Sequence, residues 1–318
     1  MNRRRDRLAR CAMIALSFFL LALGVSRAGQ ESAVAPIEYR LSFPAPEHRW
    51  LLVDVLFTQL GDAPLRARMS SASPGRYARH EFAKNVFDVR AFNGTGTEVE
   101  WFRPNPHEWV VTKHDGTVRL RYRLFGDRTD GTYAAVDHTH AHLNMPATLM
   151  WGRGFEDRPF RLTFEPPSDS AWKVATQLFP TDDPMVFTAP NLQYLMDSPT
   201  ELSDFELYTF NVADPAAPLN RPTFRVALHQ DASAGAESYV ASIAAIVGEM
   251  VTVFGEFPVF ETDTYTFIAD YLPHASSDAM EHRNSAVLTS NGRLDSPGQL
   301  ERMLGAVAHE FFHVWNVE

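Results

Sequence analysis

The sequence predicts an α+β protein of more than one domain, in which a β-sandwich is followed by an α/β region. Residues 36–228 consist of short runs rich in β-branched and aromatic residues, separated by turn signals such as Asn93-Gly94. Many short strands at this spacing are typical of a β-sandwich. From Ala236 to Phe254, apolar residues instead recur at helical spacing. A second helical pattern carries the last residues of the chain.

The strands of the first region are predicted where apolar or aromatic residues alternate with polar ones between turns. The predicted runs are Ile37–Phe43, Trp50–Phe57, Val86–Phe92, Glu108–Thr112, Val118–Phe125, Phe160–Phe164, Trp172–Gln177, Phe205–Val212 and Thr223–Leu228.

The second region is predicted to contain the helix just described, a strand at Thr264–Ala269, an edge strand at Ser285–Thr289 and a terminal helix from Pro297 to about Asn316. Ser296 and Gln299 have the spacing of a capping box, and proline suits the first helical position. Proline-rich residues 215–222 favour a boundary there. The predicted domains are therefore a β-sandwich at 29–221 and a catalytic domain at 222–318.

The N-terminus has the layout of a signal peptide. Five arginines lie within the first ten residues, and a mostly apolar run from Ala12 to Val25 follows. Ser26-Arg27-Ala28 places small residues at the positions that precede a cleavage site. We therefore expect residues 1–28 to be removed and the protein to be exported, either periplasmic or extracellular. An uncleaved N-terminal anchor is the alternative.

Composition excludes several classes of function. Without residues 1–28 the chain keeps 23 basic and 38 acidic residues, a net charge of −15, which opposes binding to nucleic acid or to anionic membranes. The single cysteine, Cys11, lies in the signal peptide, so neither disulfides nor thiolate chemistry are expected. The sequence contains no Gly-x-Ser-x-Gly elbow, which argues against a serine hydrolase. It gives no indication of oligomeric state.

The terminal helix carries His309-Glu310-Phe311-Phe312-His313, an HExxH motif. Histidines four residues apart project from one face of a helix, as two nitrogen ligands of one Zn²⁺ require. Zinc held there would lower the pKa of a water molecule and polarise a carbonyl group, and Glu310 could take the water's proton as general base. The alternative is a coincidental pair of surface histidines beside a solvated glutamate. The motif and its helical context favour a zinc peptidase.

A second motif, Asp278-Ala279-Met280-Glu281-His282, precedes the helix. By itself the segment could be a polar loop. It resembles the Gly-Ala-Met-Glu-Asn segment of zinc aminopeptidases of the aminopeptidase N type, which lies on an edge strand beside the zinc. The resemblance implies that Glu281 binds the free amino group of a peptide substrate.

Together these residues resemble metallopeptidase family sixty-one, the glycyl aminopeptidases. The resemblance covers most of the chain after the signal peptide and rests on residues 309–317 and 280–285 and on Ser73–Tyr77, Phe82–Val86 and Asp137–Asn144. It implies an N-terminal β domain, a thermolysin-like catalytic domain, often a later PDZ domain, and cleavage of small N-terminal residues from peptides.

The resemblance also implies a third zinc ligand, a glutamate some twenty or more residues beyond His313. Glu318 follows His313 too closely to serve as this ligand, because each residue advances a helix by only about 1.5 Å. We therefore expect the sequence to be the N-terminal part of a longer enzyme, inactive by itself. The alternative is a periplasmic binding or scaffold protein that retains the peptidase fold without the activity.

One further pattern has two interpretations. His138, His140 and His142 alternate and would share one face of a strand, where they could form a second metal cluster. Alternatively, they belong to the β-domain pattern of the family and shape the surface near the cleft.

Overall fold

The computed structural model of the protein describes residues 34–230 and 234–316. The signal peptide predicted at residues 1–28 and the residue Glu318 lie outside this range. Within the described residues, strands predominate up to Gln230, and the two longer helices follow.

The strands are β1 (Ile37–Ala45), β2 (Trp50–Phe57), β3 (Leu65–Met69), β4 (Val86–Asn93), β5 (Glu98–Val99), β6 (Trp101–Asn105), β7 (Glu108–Val111), β8 (Val118–Phe125), β9 (Ala134–Val136), β10 (His140–Leu143), β11 (Met150–Gly152), β12 (Phe160–Glu165), β13 (Lys173–Thr176), β14 (Phe179–Pro180), β15 (Val186–Ala189), β16 (Thr200–Ser203), β17 (Glu206–Asn211), β18 (Thr223–Gln230), β19 (Thr264–Tyr271), β20 (Asp278–His282) and β21 (Ser285–Ser290). The helices are α1 (Met145–Thr148), α2 (Leu192–Met196), α3 (Ala236–Phe254) and α4 (Pro297–Phe312), with 3-10 turns at Pro46–His48 and Phe82–Asn85.

The first sixteen strands build the N-terminal β region. An eight-stranded sheet has the order β14-β15-β12-β1-β2-β8-β4-β5, and two four-stranded sheets have the orders β13-β16-β10-β9 and β11-β3-β7-β6. Along β1 the side chains alternate between buried and solvent-facing positions, as the two-residue period of a strand dictates. One apolar core joins the sheets. The fold class expected from the sequence is confirmed, with a β-sandwich region first and an α/β region after it.

The last five strands form a separate mixed sheet, in the order β17-β18-β19-β21-β20. Strands β18, β19 and β21 run parallel. Nearly every residue of β19 is buried, which is typical of a parallel strand covered on both faces. Helix α3 connects β18 to β19, as parallel neighbours require a crossover. This βαβ unit is the frame on which α4 packs.

Helix α3 has the bounds that its periodicity predicts. Its buried stripe of Tyr239, Ile243, Val247 and Val251 packs into the second apolar core. By length and composition alone the helix is apolar enough to cross a membrane, but core helices of soluble proteins share that property.

Three local expectations are wrong. Strand β21 lies inside the sheet, between β19 and β20, so the edge strand is β20. No side-chain hydrogen bond from Ser296 caps α4; Gln299 Oε1 instead accepts a hydrogen bond from the backbone N–H of Arg293 at 2.7 Å. Helix α4 ends at Phe312, and single turns continue the chain to Asn316.

The predicted boundary at residues 221/222 stays a prediction. Strand β17 precedes that boundary in sequence yet pairs along its full length with β18.

Candidate metallopeptidase site

Helix α4 is fixed in rotation by Phe311, which is fully buried. Its ring packs against Phe224, Tyr265 and Phe267, at centroid distances of 5.8, 5.1 and 5.7 Å. Because successive helical residues are about 100° apart, this anchor turns His309 toward solvent, whereas Glu310 next to it stays buried. The burial of Phe311 therefore determines where the polar residues of the motif point.

The two histidines of the motif lie together. The rings of His309 and His313 have centroids 5.1 Å apart, and the ligand atoms of His309, Glu310 and His313 all lie within 4.8 Å of one another. His313 Nδ1 is 3.0 Å from the backbone carbonyl of Asn316. A carbonyl oxygen can only accept, so Nδ1 carries the proton and Nε2 keeps its lone pair for a metal. The donor set fits Zn²⁺ with two imidazole ligands.

Glu310 is the buried member of the motif, with 6% of its surface exposed. Burial raises the pKa of its carboxyl group to about 7, with a further contribution from the charge of Glu281, against opposing effects of His313 and Arg76. A carboxylate with a pKa near neutrality suits a general base. The same effect indicates that the charge of Glu281 lies near the motif.

Glu281 lies on β20, the edge strand of the mixed sheet, and not in a polar loop. Its carboxylate forms no ion pair or hydrogen bond with any residue in the described part of the chain. A Cβ atom added to Gly75 would lie 2.8 Å from Glu281 Oε2 and 3.0 Å from Met280 Cγ. The loop at Gly75 therefore passes so close to the carboxylate that a residue with a Cβ atom would collide with it. The φ of +69° at this position also favours glycine.

Two loops of the β region border this strand. Arg76 forms an ion pair with Asp278, and the backbone N–H of Gly131 donates to Asp278 Oδ2 at 3.0 Å. Asn144 Nδ2 donates to Ser73 Oγ at 3.0 Å and so holds the first loop in place. The sequence around Arg76 indicated only a family resemblance and no role for this residue.

The end of β20 is tied to the β region by Asp197. One carboxylate oxygen lies 2.9 Å from His282 Nδ1, and the other accepts the backbone N–H of Arg283 at 3.0 Å. Asp197 is the C-terminal cap of α2, and the segment from Asp197 to Glu201 leads from that helix into strand β16. Asp197 thus positions His282, the residue that follows Glu281.

The three alternating histidines do not share one face. His138 is exposed and precedes β10, whereas His140 and His142 on β10 are fully buried. His140 Nδ1 lies 3.1 Å from Asp137 Oδ1. Strand β10 begins only at His140, so the alternation of the sequence does not extend to His138.

Comparison with known proteins agrees with the fold. A family model for the Peptidase M61 N-terminal domain matches residues 38–204. The structure of an aminopeptidase N family protein from Idiomarina loihiensis superposes with a TM-score of 0.75 at 21% identity, covering 89% of this chain and 48% of that one. This chain thus spans about half the length of that protein. No curated protein sequence matches significantly.

Two further structures are more distant. An M1 zinc metallopeptidase from Deinococcus radiodurans has a TM-score of 0.42 at 13% identity, covering 88% of this chain and 64% of that one. Aminopeptidase A from Legionella pneumophila, in complex with aspartic acid, has a TM-score of 0.48 at 11% identity, covering 91% and 35%.

The β region, the mixed sheet and the HExxH helix define the class, a metallopeptidase fold of the aminopeptidase type. More particularly, the match over residues 38–204 shows that the chain belongs to the M61 peptidase family.

Proposed function

We propose that the protein is a zinc aminopeptidase that removes small N-terminal residues from peptides, and that it is exported to the periplasm or the medium. One observation carries the proposal: Glu281 lies close enough to the HExxH motif for its charge to raise the pKa of Glu310. His309 and His313 would hold Zn²⁺. We expect a third ligand, a glutamate, from sequence beyond residue 318.

Glu310 is proposed as the general base. Zinc, when bound, would polarise the substrate carbonyl and acidify a water molecule. Glu310 is close to both histidines but need not bind the metal, so its carboxylate can accept the water's proton and return it to the leaving amine. Its mostly buried position limits competition from solvent.

Glu281 is proposed to bind the amino group of the substrate. Its unpaired carboxylate carries a charge next to that of Glu310, and a substrate ammonium group would relieve this repulsion. Asp278, three residues earlier, cannot do the same because Arg76 and Gly131 already engage it. Only one carboxylate of the strand is thus available for a cationic ligand.

Strand β20 offers the means to align a peptide. Among the described residues it pairs only with β21, so its other edge has free backbone groups for an extended chain. A cavity of about 420 Å³ lies between β20, β21 and the first half of α4, lined by Asp278, Ala279, Met303 and Ala306. A peptide held along this edge would run past Glu281 toward the motif.

The test uses the full-length protein and glycyl, alanyl and leucyl anilides. Glu310→Gln should lower kcat by about 10²- to 10⁴-fold and leave the zinc content unchanged. Glu281→Gln should raise KM for substrates with a free amine by roughly tenfold or more, because a charge-assisted hydrogen bond contributes about 1.5–3 kcal/mol. Exposed Glu301 on the same helix supplies the control, Glu301→Gln, which should change neither constant.

Peptide binding without hydrolysis, unaffected by Glu310→Gln, would contradict the proposal and support a non-catalytic binding or scaffold protein. Equal turnover of N-acetylated and free-amine substrates would contradict the role of Glu281 while leaving peptidase activity intact.

A further inference from the structure

A second cluster of histidines and carboxylates lies where the β region meets the mixed sheet. His142 on β10 is the cross-strand partner of Glu201 on β16, and His229 on β18 is the partner of Asp270 on β19. The two pairs face each other, so each sheet contributes one imidazole and one carboxylate. None of the four belongs to the HExxH site.

The four side chains converge on one small volume. His142 Nδ1 lies 3.1 Å from Asp270 Oδ2 and 3.4 Å from Glu201 Oε2. His229 Nδ1 lies 3.1 Å from Asp270 Oδ1 and 3.7 Å from Glu201 Oε1. His142, Glu201 and Asp270 are fully buried, and 13% of the His229 side chain is exposed.

Several of these buried atoms have no hydrogen bond within the described residues. They are both carboxylate oxygens of Glu201, Asp270 Oδ2 and both ring nitrogens of His142. A buried charged group without such a partner costs more than the roughly 1–3 kcal/mol of a neutral one. Two carboxylates that share a buried site therefore need a cation.

We infer that His142, Glu201 and Asp270, with His229 beside them, form a second metal site that takes a divalent transition-metal ion, with zinc as the best fit. Ligands at about 2.0 Å in tetrahedral geometry lie about 3.3 Å apart. The ligand atoms of His142, Glu201 and Asp270 all lie within 4.8 Å of one another, close enough to bind one ion after small side-chain shifts. Two carboxylates and two neutral imidazoles carry a charge of −2, which one divalent ion neutralises. Mixed imidazole and carboxylate donors suit zinc better than calcium or magnesium.

In the competing arrangement no metal is bound, and protonated His142 and His229 neutralise the two carboxylates. Burial lowers the pKa of His142, but the carboxylates of Asp270 and Glu201 more than offset it and raise the value to about 10. The same balance raises the pKa of His229 to about 9. This proton-held network of two imidazolium groups and two carboxylates would replace the metal site. The metal content of the protein distinguishes the two arrangements.

The experiment separates the cluster from the HExxH site by removing the latter. The full-length double variant His309→Ala/His313→Ala is dialysed against excess Zn²⁺ and then buffer, and metal per chain is measured by plasma mass spectrometry. We expect about one equivalent to remain. Replacing zinc with Co²⁺ should give visible absorption bands of a four-coordinate site, and a strong chelator should lower Tm by about 5 °C or more.

Adding Glu201→Gln and Asp270→Asn should abolish this metal binding. The matched control is Asp197→Asn, which alters another buried histidine–carboxylate contact, at 2.9 Å, that lacks a second carboxylate; it should retain the metal. If the Glu201/Asp270 variant does not fold, an anomalous-scattering peak between His142 and His229 in crystals of the double variant decides the question.

A double variant without bound metal, without a cobalt spectrum and with a Tm indifferent to zinc and chelator would overturn the inference in favour of the proton-held network. The result is independent of the proposed peptidase activity, because the HExxH histidines are absent from the protein measured.

Discussion

Replacing Gly75 with alanine tests whether the β region sets the position of Glu281. Two effects add at this residue. The backbone has a φ of +69°, which disfavours any residue with a Cβ atom, and the added methyl group would lie 2.8 Å from Glu281 Oε2. Met280, the other close neighbour, is fully buried and cannot move aside. The Glu281 carboxylate, half-buried at the site, must therefore shift.

The magnitude follows from the two effects. A left-handed conformation costs an alanine about 1–2 kcal/mol. Displacing the carboxylate from a substrate ammonium forfeits part of a charge-assisted hydrogen bond of about 1.5–3 kcal/mol, and 1.4 kcal/mol is about tenfold in affinity. We expect Gly75→Ala to raise KM for free-amine substrates by about tenfold and to change kcat less.

Gly61→Ala is the control. Gly61 has a φ of +65° but nothing within 4 Å of an added Cβ, so it imposes the same backbone strain without the contact. Urea unfolding and steady-state kinetics of both variants give the comparison. Both should lose stability, whereas only Gly75→Ala should raise KM. Equal KM values for the two variants would refute the reasoning.

Two further predictions concern buried carboxylates. Asp197→Ala leaves the buried His282 ring and a backbone N–H without an acceptor, so we expect a loss of about 1–3 kcal/mol in urea unfolding; the exposed Asp183→Ala should lose far less, and equal losses would contradict this. Burial opposes ionisation of Glu108, but hydrogen bonds from Arg66 and Asn105 lower its pKa below the usual 4.5. The contribution of Glu108 to folding stability is therefore complete above about pH 4.5 and declines as the pH falls further. If the stability difference between the wild type and Glu108→Gln stays constant between pH 6 and pH 3, this prediction is wrong.

Local patterns allow much of the fold to be predicted. Strands β2 and β8 and helix α3 begin and end where the sequence predicts, because each has an uninterrupted period bounded by turns or glycine. Short strands such as β9, β11 and β16 escape prediction. Three or four residues are too few to display a period, and these strands form through pairing with distant segments.

The candidate site divides in the same way. The HExxH spacing and the resemblance around Glu281 are local, and both lead to one site in the structure. The parts played by Gly75 and Asp278 depend on contacts between residues about two hundred positions apart. The His142 cluster shows this most clearly, because its carboxylates lie on β16 and β19, and no spacing in the sequence connects them.

The loop at Gly75 and the ion pair of Arg76 with Asp278 have a consequence for how such proteins can change. A wall of the site is encoded in the β region, far from the residues assigned to the chemistry. Exchange of the first two hundred residues with those of a relative would then transplant part of the substrate pocket. Selectivity could diverge by alterations in that loop alone, with the motif helix untouched.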